Sequence, residues 1–340
     1  MNFDYTDDQQ AIKSTAHDLL AARLKPEKLR QLAEAGEYDD AIWGEMCELG
    51  WPGIFIGEEH GGQELGVLEL AILSEELGYA LAPSPFLSNA AAGLVIQQAG
   101  SDEQKSRWLP GIASGEQRGT VAYVKDGVAE LVPDADSASF VVVIDGSSAS
   151  VVDAGDVQAE SVDTIDSTRR FSRVQAAGGA GEALDGDAGP AIGPIAVTIA
   201  AELVGVSQRA MEMAVEYAKD RQQFGRPIGA YQAVAHRCAQ MLLEVESARS
   251  ATMYAGWAAD QEPETLPLAA AMAKAYASDT GWRVTASSLQ VHGGIGFTWE
   301  HDLHFFLKRA KADGHLFGTA SEHRERVAEL AGLSRSAATV

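Results

Sequence analysis

Apolar residues at Ile199, Leu203, Val206, Ala210, Met213 and Tyr217 recur at intervals of 4, 3, 4, 3 and 4. That is the period of one helix face, and it commits the chain to a long helix with one side in a core. A second stripe follows at Val234, Cys238, Met241, Val245 and Ala248. Pro263 and Pro267 then interrupt, a third helix runs toward Gln290, Gly293-Gly294-Ile295-Gly296 stops it, and Trp299 to Asp313 supplies a fourth. Long amphipathic helices with short connections predict an up-down four-helix bundle over residues 191–340.

Upstream the pattern is different. Residues 1–118 read as an all-helical domain. Thr6 with Gln9 three positions later is a helix start, Trp43, Met46 and Leu49 run to a stop at Gly50, and Leu68, Ile72 and Leu77 mark another helix. Ile54 to Ile56 predict a short extended piece between them. From Thr120 to about Ala177, runs such as Phe140 to Ile144 alternate with Asp/Gly/Ser clusters, which predicts strands and turns. The Gly/Ala-rich stretch from Ala177 to Pro194, with Asp185 and Asp187, reads as a linker. The expected architecture is therefore α+β and multidomain: helices over 1–118, a small, shortened β-domain with its linker over 119–190, and the bundle over 191–340.

Charge narrows the partners. Against 26 Lys and Arg stand 49 Asp and Glu, a net charge of -23. Such a chain repels a phosphate backbone, so no nucleic-acid partner is expected. The surplus lies in the first 190 residues, which leaves the nearly balanced final part as the place to hold an anionic cofactor or substrate. Cys47 and Cys238 each sit in a helical pattern and predict buried free thiols, not a disulfide. No run approaches 18 apolar residues and the first residues are acidic, so a cytoplasmic protein without a membrane partner is expected.

The segment Arg221-Gln222-Gln223-Phe224-Gly225-Arg226-Pro227-Ile228, followed by Tyr231-Gln232, offers a guanidinium able to pair with pyrophosphate oxygens and an apolar ring beside it. Glycines at 293, 294 and 296 permit close backbone approach. Leu49-Gly50-Trp51, Glu58-Glu59-His60-Gly61-Gly62, Glu75-Glu76-Leu77-Gly78, Trp108-Leu109-Pro110 and Gln290-Val291-His292-Gly293-Gly294-Ile295-Gly296-Phe297 complete the set. In these motifs, their order and their spacing, the chain resembles the acyl-CoA dehydrogenase family. The resemblance implies FAD as cofactor and an acyl-CoA thioester as substrate. It assigns Arg221, Gln223, Phe224, Gln232, Gln290, Gly293 and Gly294 to cofactor contacts, made in the family across a subunit interface.

The family reaction needs a carboxylate base beside the substrate α-carbon. The family's Tyr-Glu-Gly-Thr loop corresponds here to Leu316-Phe317-Gly318-Thr319, with Phe317 where the Glu belongs. The alternative family position, at the start of the first bundle helix, falls near Ile195, and its neighbours Pro194 and Ala196 carry no acid either. Glu202, two turns on, is expected to face solvent or a partner helix. No catalytic residue is therefore assigned to this chain. The family's Thr-Glu-Pro…Gly-Ser-Asp strand and loop has no counterpart, since Val121 to Gly127 stand there, and Thr168-Arg169-Arg170-Phe171 is the clearest remnant of the middle domain.

The likeness is greatest to the short, base-lacking subunits of actinobacterial α2β2 acyl-CoA dehydrogenases. It implies a heterotetramer with a full-length subunit carrying the Glu, thioesters of steroid side chains as substrates, and electron-transfer flavoprotein as oxidant. Two other readings stay open: a self-sufficient homotetramer with a relocated base, and an assembly protein without flavin chemistry. No metal is expected, because His292, His315 and His323 lack a second ligand at metal spacing. Trp282, Trp299, Phe305 and Phe306 read as core or interface, and Ser207 and Ser321 have no triad around them.

Overall fold

A computed structural model describes residues 4–175 and 181–333. Six helices open the chain: α1 (Asp7–Arg23), α2 (Pro26–Ala35), α3 (Asp40–Glu48), α4 (Val67–Tyr79), α5 (Phe86–Ala99) and α6 (Asp102–Ser114). The start of α1 is the expected one, with the Thr6 side chain accepting from the Gln9 N–H and the Gln9 side chain returning to the Thr6 N–H. Ile54 to Ile56 are not extended. Ile54 has helical dihedrals directly after a 3-10 turn at Trp51–Gly53, and all three side chains are buried, so the apolar run reflects burial and not a strand.

The β-region holds β1 (Gly119–Tyr123), β2 (Val128–Pro133), β3 (Phe140–Asp145), β4 (Ser148–Asp153), β5 (Gln158–Ser161), β6 (Phe171–Gln175) and β7 (Glu182–Ala183). One sheet has the order β1-β3-β4-β7, with β1 and β3 parallel and the other pairs antiparallel. The other is β2-β6-β5. The uninterrupted run in β3 is explained by burial of both its faces. Phe140, Val142 and Ile144 join the main core, whereas Val141 packs with Ala122, Val124, Val132 and Val174 between the sheets. The expected linker is more structured than its composition suggests, because β7 pairs with β4 and Gly186 donates to the Ala99 carbonyl at 2.7 Å. Residues 176–180, where the β-to-linker boundary at Ala177 was expected, lie outside the described residues.

The long stripe forms α7 (Ile192–Asp220), and after the hairpin β8 (Gln222–Gln223) and β9 (Arg226–Pro227) come α8 (Gln232–Gln261), α9 (Leu266–His292), α10 (Leu303–Asp313) and α11 (Ala320–Leu330). Ile199, Leu203, Val206 and Ala210 are fully buried, each large one contributing about 1.5–3 kcal/mol. Although residues 189–220 are apolar enough to cross a membrane, most of that length is taken up by the core. Backbones of α4 and α7 touch where two glycines meet: a Cβ on Gly78 would lie 2.1 Å from the Glu202 carbonyl oxygen, and one on Gly205 would lie 1.9 Å from that of Glu75. Pro267 begins α9 within its first turn rather than interrupting it. The fourth helix starts at Leu303, not Trp299, and α11, with its Thr319–Glu322 capping box, is an addition to the expected four. Both cysteines are free but only half-buried.

Of the two settings expected for Glu202, solvent or a partner helix, the structure shows the second. It is buried, and its carboxylate accepts from Arg169 Nη2 at 2.7 and 2.9 Å and from Arg309 Nη1. Arg309 also donates through Nε to Asp166 at 2.7 Å and through Nη2 to Thr168, while Arg169 reaches Asp313 with Nη1. Asp166, Thr168 and Arg169 belong to the connection between β5 and β6, Glu202 to α7, and Arg309 and Asp313 to α10. The next residue, Arg170, turns the other way and stacks 4.4 Å over the Tyr38 ring. Tyr38 and Ser88 both donate to the buried Asp134, so adjacent arginines tie the β-region to the bundle and to the N-terminal helices.

The two arginines hold the Glu202 carboxyl below the usual carboxylate range, against the opposing effect of burial. Asp313 keeps one guanidinium contact, its Oδ2 has no hydrogen-bond partner among the described residues, and burial pushes it up to about 7. Arg309→Met should cost about 3–5 kcal/mol in urea denaturation, because it removes the ion-pair partner of the buried Asp166 and leaves Glu202 with one guanidinium in place of two. An acid whose folded pKa is raised contributes stability that is fully present below its unfolded value and lost as pH rises through the folded one. Wild-type stability should therefore carry a component that declines as pH rises from about 4 to about 7 and levels off above it, and Asp313→Asn should remove it in denaturation curves taken across that interval.

Candidate functional site

The expected cofactor contacts lie on one exposed end of the bundle. Arg221 closes α7, donating its N–H to the Tyr217 carbonyl at 2.8 Å and accepting from the Ile228 N–H at 2.8 Å. Between β8 and β9, Phe224 (φ 52°) and Gly225 (φ 80°) make a two-residue turn with both dihedrals left-handed, the geometry that suits strand twist in a tight hairpin. Phe224 at the tip is 93% exposed. The hairpin is braced from behind by Tyr231, whose hydroxyl donates to the Gln223 carbonyl at 3.1 Å and whose ring carries the Arg226 guanidinium at 4.1 Å. The Arg221 guanidinium is exposed and has no ion pair among the described residues. Gln232, also exposed, begins α8.

The second segment is brought beside the first by stacking. The Tyr217 ring, one turn before Arg221, lies 4.6 Å from His292 at an interplanar angle of 24°. His292, at the end of α9, directly precedes Gly293. Its Nδ1 meets the Ser288 carbonyl at 2.8 Å, and burial lowers its pKa, which favours the uncharged ring stacked against Tyr217. No sequence pattern pairs it with Tyr217. Gln290 is exposed on the last turn of α9, and Gly293 adopts φ 63°, ψ -136°, a conformation that only glycine takes readily. Gly294 differs: a Cβ there would meet nothing within 4 Å, so nothing in the chain's own packing demands glycine at 294. A bare backbone beside an exposed guanidinium and an exposed ring fits a phosphate-bearing, partly aromatic group laid across this surface.

The position of the family base looks onto a separate cleft of about 580 Å³ between the β-region and loop 314–319. Val121, Leu131, Ile192, Leu316 and Phe317 supply apolar walls. Phe317 (φ 52°) and Gly318 (φ 106°) are both left-handed. Ile195 is fully buried in the first turn of α7. Two acids border the cleft, and both are committed. Glu322 accepts from the Thr319 N–H and hydroxyl at 2.7 and 2.8 Å, contacts that lower its pKa, and Glu130 pairs with Arg173 at 3.1 Å. Glu202, the remaining candidate for the base, is locked between two guanidiniums. No free carboxylate stands at this cleft among the described residues, and proton abstraction from carbon needs one.

Residues 6–116 match the family described as acyl-CoA dehydrogenase, N-terminal domain, and residues 191–331 match acyl-CoA dehydrogenase, C-terminal domain. The chain is 33% identical over 324 residues to acyl-CoA dehydrogenase IpdE2 of Mycolicibacterium smegmatis, covering 95% of this chain and 98% of that one. With IpdE2 of Mycobacterium tuberculosis the identity is 34% over 323 residues, with 94% and 96% covered. The structure is similar to a chain of the ChsE4-ChsE5 complex from Mycobacterium tuberculosis, with a TM-score of 0.89, 25% identity, and 99% and 100% of the chains covered. It is also similar to a chain of a variant of the Tcur3481-Tcur3483 steroid ACAD, with a TM-score of 0.86, 26% identity, and 96% and 98% covered.

Two adjacent glycines with different dihedrals allow a clean test of the turn. Gly293→Ala should lose about 1–3 kcal/mol of stability from backbone strain. Gly294→Ala, whose methyl group meets open space, should stay within about 0.5 kcal/mol of wild type. Urea denaturation of the two variants side by side checks the difference.

Proposed function

This chain belongs to the acyl-CoA dehydrogenase family, and from that premise we propose that it is the non-catalytic half of a heteromeric, FAD-dependent acyl-CoA dehydrogenase. The carrying observation is a contrast: the cofactor-facing surface is built and braced, while the chain's own cleft has no free carboxylate. In this reading Arg221 holds the pyrophosphate and Phe224 gives an apolar face to a ring. Gln223, Gln232 and Gln290 offer amide hydrogen bonds, and Gly293 and Gly294 admit the dinucleotide against bare backbone. When bound, FAD supplies the hydride acceptor for oxidation of the acyl Cα–Cβ bond. A full-length partner subunit contributes the glutamate that takes the α-proton.

The likeness to a chain from a two-component complex and to one from a steroid ACAD supports a heterotetramer acting on steroid side-chain CoA thioesters. Family membership supports electron-transfer flavoprotein as oxidant. The two unpaired cysteines agree with a cytoplasmic setting.

The test is flavin absorbance and polypeptide stoichiometry for the chain purified alone and after co-expression with a long acyl-CoA dehydrogenase subunit. The expected result is one FAD per heterodimer in the complex and none on the chain alone. Arg221→Ala should weaken FAD retention in the complex about 10–100-fold, the worth of a charge-assisted contact. Full flavin occupancy and thioester oxidation by the chain alone would establish a self-sufficient enzyme. Flavin content indifferent to Arg221→Ala would point to an assembly protein.

A further inference from the structure

Lys274 lies in the middle of α9 and is fully buried. Its ammonium donates to Ser278 Oγ at 3.1 Å, to the Asp313 carbonyl at 3.1 Å and to the Gly318 carbonyl at 3.0 Å. All three donors are used, and no carboxylate oxygen is among the acceptors. A buried cation without a contacting counter-ion is costly, and a neutral side chain of similar shape would usually be tolerated better. What the ammonium does here is bind backbone at both ends of one loop, residues 314–319.

That loop is conformationally uphill. Phe317 and Gly318 are consecutive left-handed residues, and for Phe317 the conformation is unfavourable. The carbonyl of Phe317 is taken by His323 Nε2 at 3.0 Å and that of Gly318 by Lys274, so each strained unit has a side-chain partner from a neighbouring helix. The loop also forms one wall of the cleft opposite Val121 and Leu131. We infer that Lys274 is the positioning residue of this wall, using two of its three N–H donors to hold loop 314–319, and with it Phe317, against the β-region. The inference does not depend on a heteromeric assembly or on flavin binding.

The charge environment makes the clamp sensitive to pH. The ammonium faces Asp313 from α10 and Glu322 and His323 from α11. Burial lowers its pKa to about 8, against the opposing pull of Asp313 and Glu322. His323 is itself lowered by burial and by Lys274, so no second cation competes. Because burial holds this pKa below the ordinary lysine value, opening the loop takes up a proton, and the closed loop gains stability as pH rises above about 8.

Hydrogen–deuterium exchange on the full chain reads the loop separately from the rest of the fold. In Lys274→Met the amides of 314–319 should exchange about tenfold faster, with those of α5 and β3 unchanged. Ser278→Ala, which leaves both carbonyl bonds in place, should keep the loop protected. In wild type, protection of the same amides, corrected for intrinsic chemistry, should rise between about pH 8 and about pH 10, and Lys274→Met should abolish that rise. Unchanged loop exchange in Lys274→Met, or equal loosening of every segment, overturns the inference. If Lys274→Met does not fold, the wild-type pH profile decides, and a flat profile overturns it.

Discussion

The seat of the β-region depends on a buried exchange of charge. Three carboxyl groups, Asp166, Glu202 and Asp313, meet two guanidiniums, Arg169 and Arg309, in a space closed to water. The two sheets enclose only a small core of short side chains, which holds them to each other. Apolar contact through β3 attaches them to the helices, but such contact tolerates sliding. Charged groups with fixed hydrogen-bond directions do not. A displacement of the β5–β6 connection would separate Arg169 from Glu202 and Asp313 together, so the cluster selects one orientation at a desolvation cost that apolar residues would not incur.

The same argument separates what could be read from the sequence from what could not. Helix periodicity is local, and α7 and α8 follow from it, as does the start of α1 at Thr6. The burial of Ile54 to Ile56 was visible but its conformation was not, because a short apolar run has no period. Which of its two settings Glu202 takes, solvent or a partner helix, was not legible because its partners are far away in the chain. A signal did exist: from Ile195 to Val206 the helix is apolar or small on every side, and such a helix is buried, so an acid within it requires a cation. Arg169 stood out only as a motif remnant, with nothing in its spacing to name Glu202. Lys274 carried no signal beyond being a lysine among alanines, and its role resides in two backbone carbonyls that no side-chain pattern encodes.

At the end of the bundle that carries Arg221 and Gly293, legibility was better for a physical reason. A two-residue turn with both dihedrals left-handed and a glycine stop are local requirements, so they leave marks in neighbouring residues. The contact that brings the two segments together, Tyr217 on His292, is tertiary and left none.

The loss of a base at 317 and the persistence of the loop around it are compatible because different atoms carry them. The loop is held by Lys274 on the Gly318 carbonyl, by His323 on the Phe317 carbonyl and by Glu322 on Thr319. None of these contacts uses the side chain at 317. A phenyl group in place of a carboxylate therefore leaves the framework standing, whereas a side chain at Gly293 would strain the turn itself. In the proposed reading the missing base is one replaceable side chain, while the surface offered to a partner subunit rests on backbone conformation and bracing. A chain of this kind can lose the first and still present the second, which is the physical basis for the division of labour proposed above.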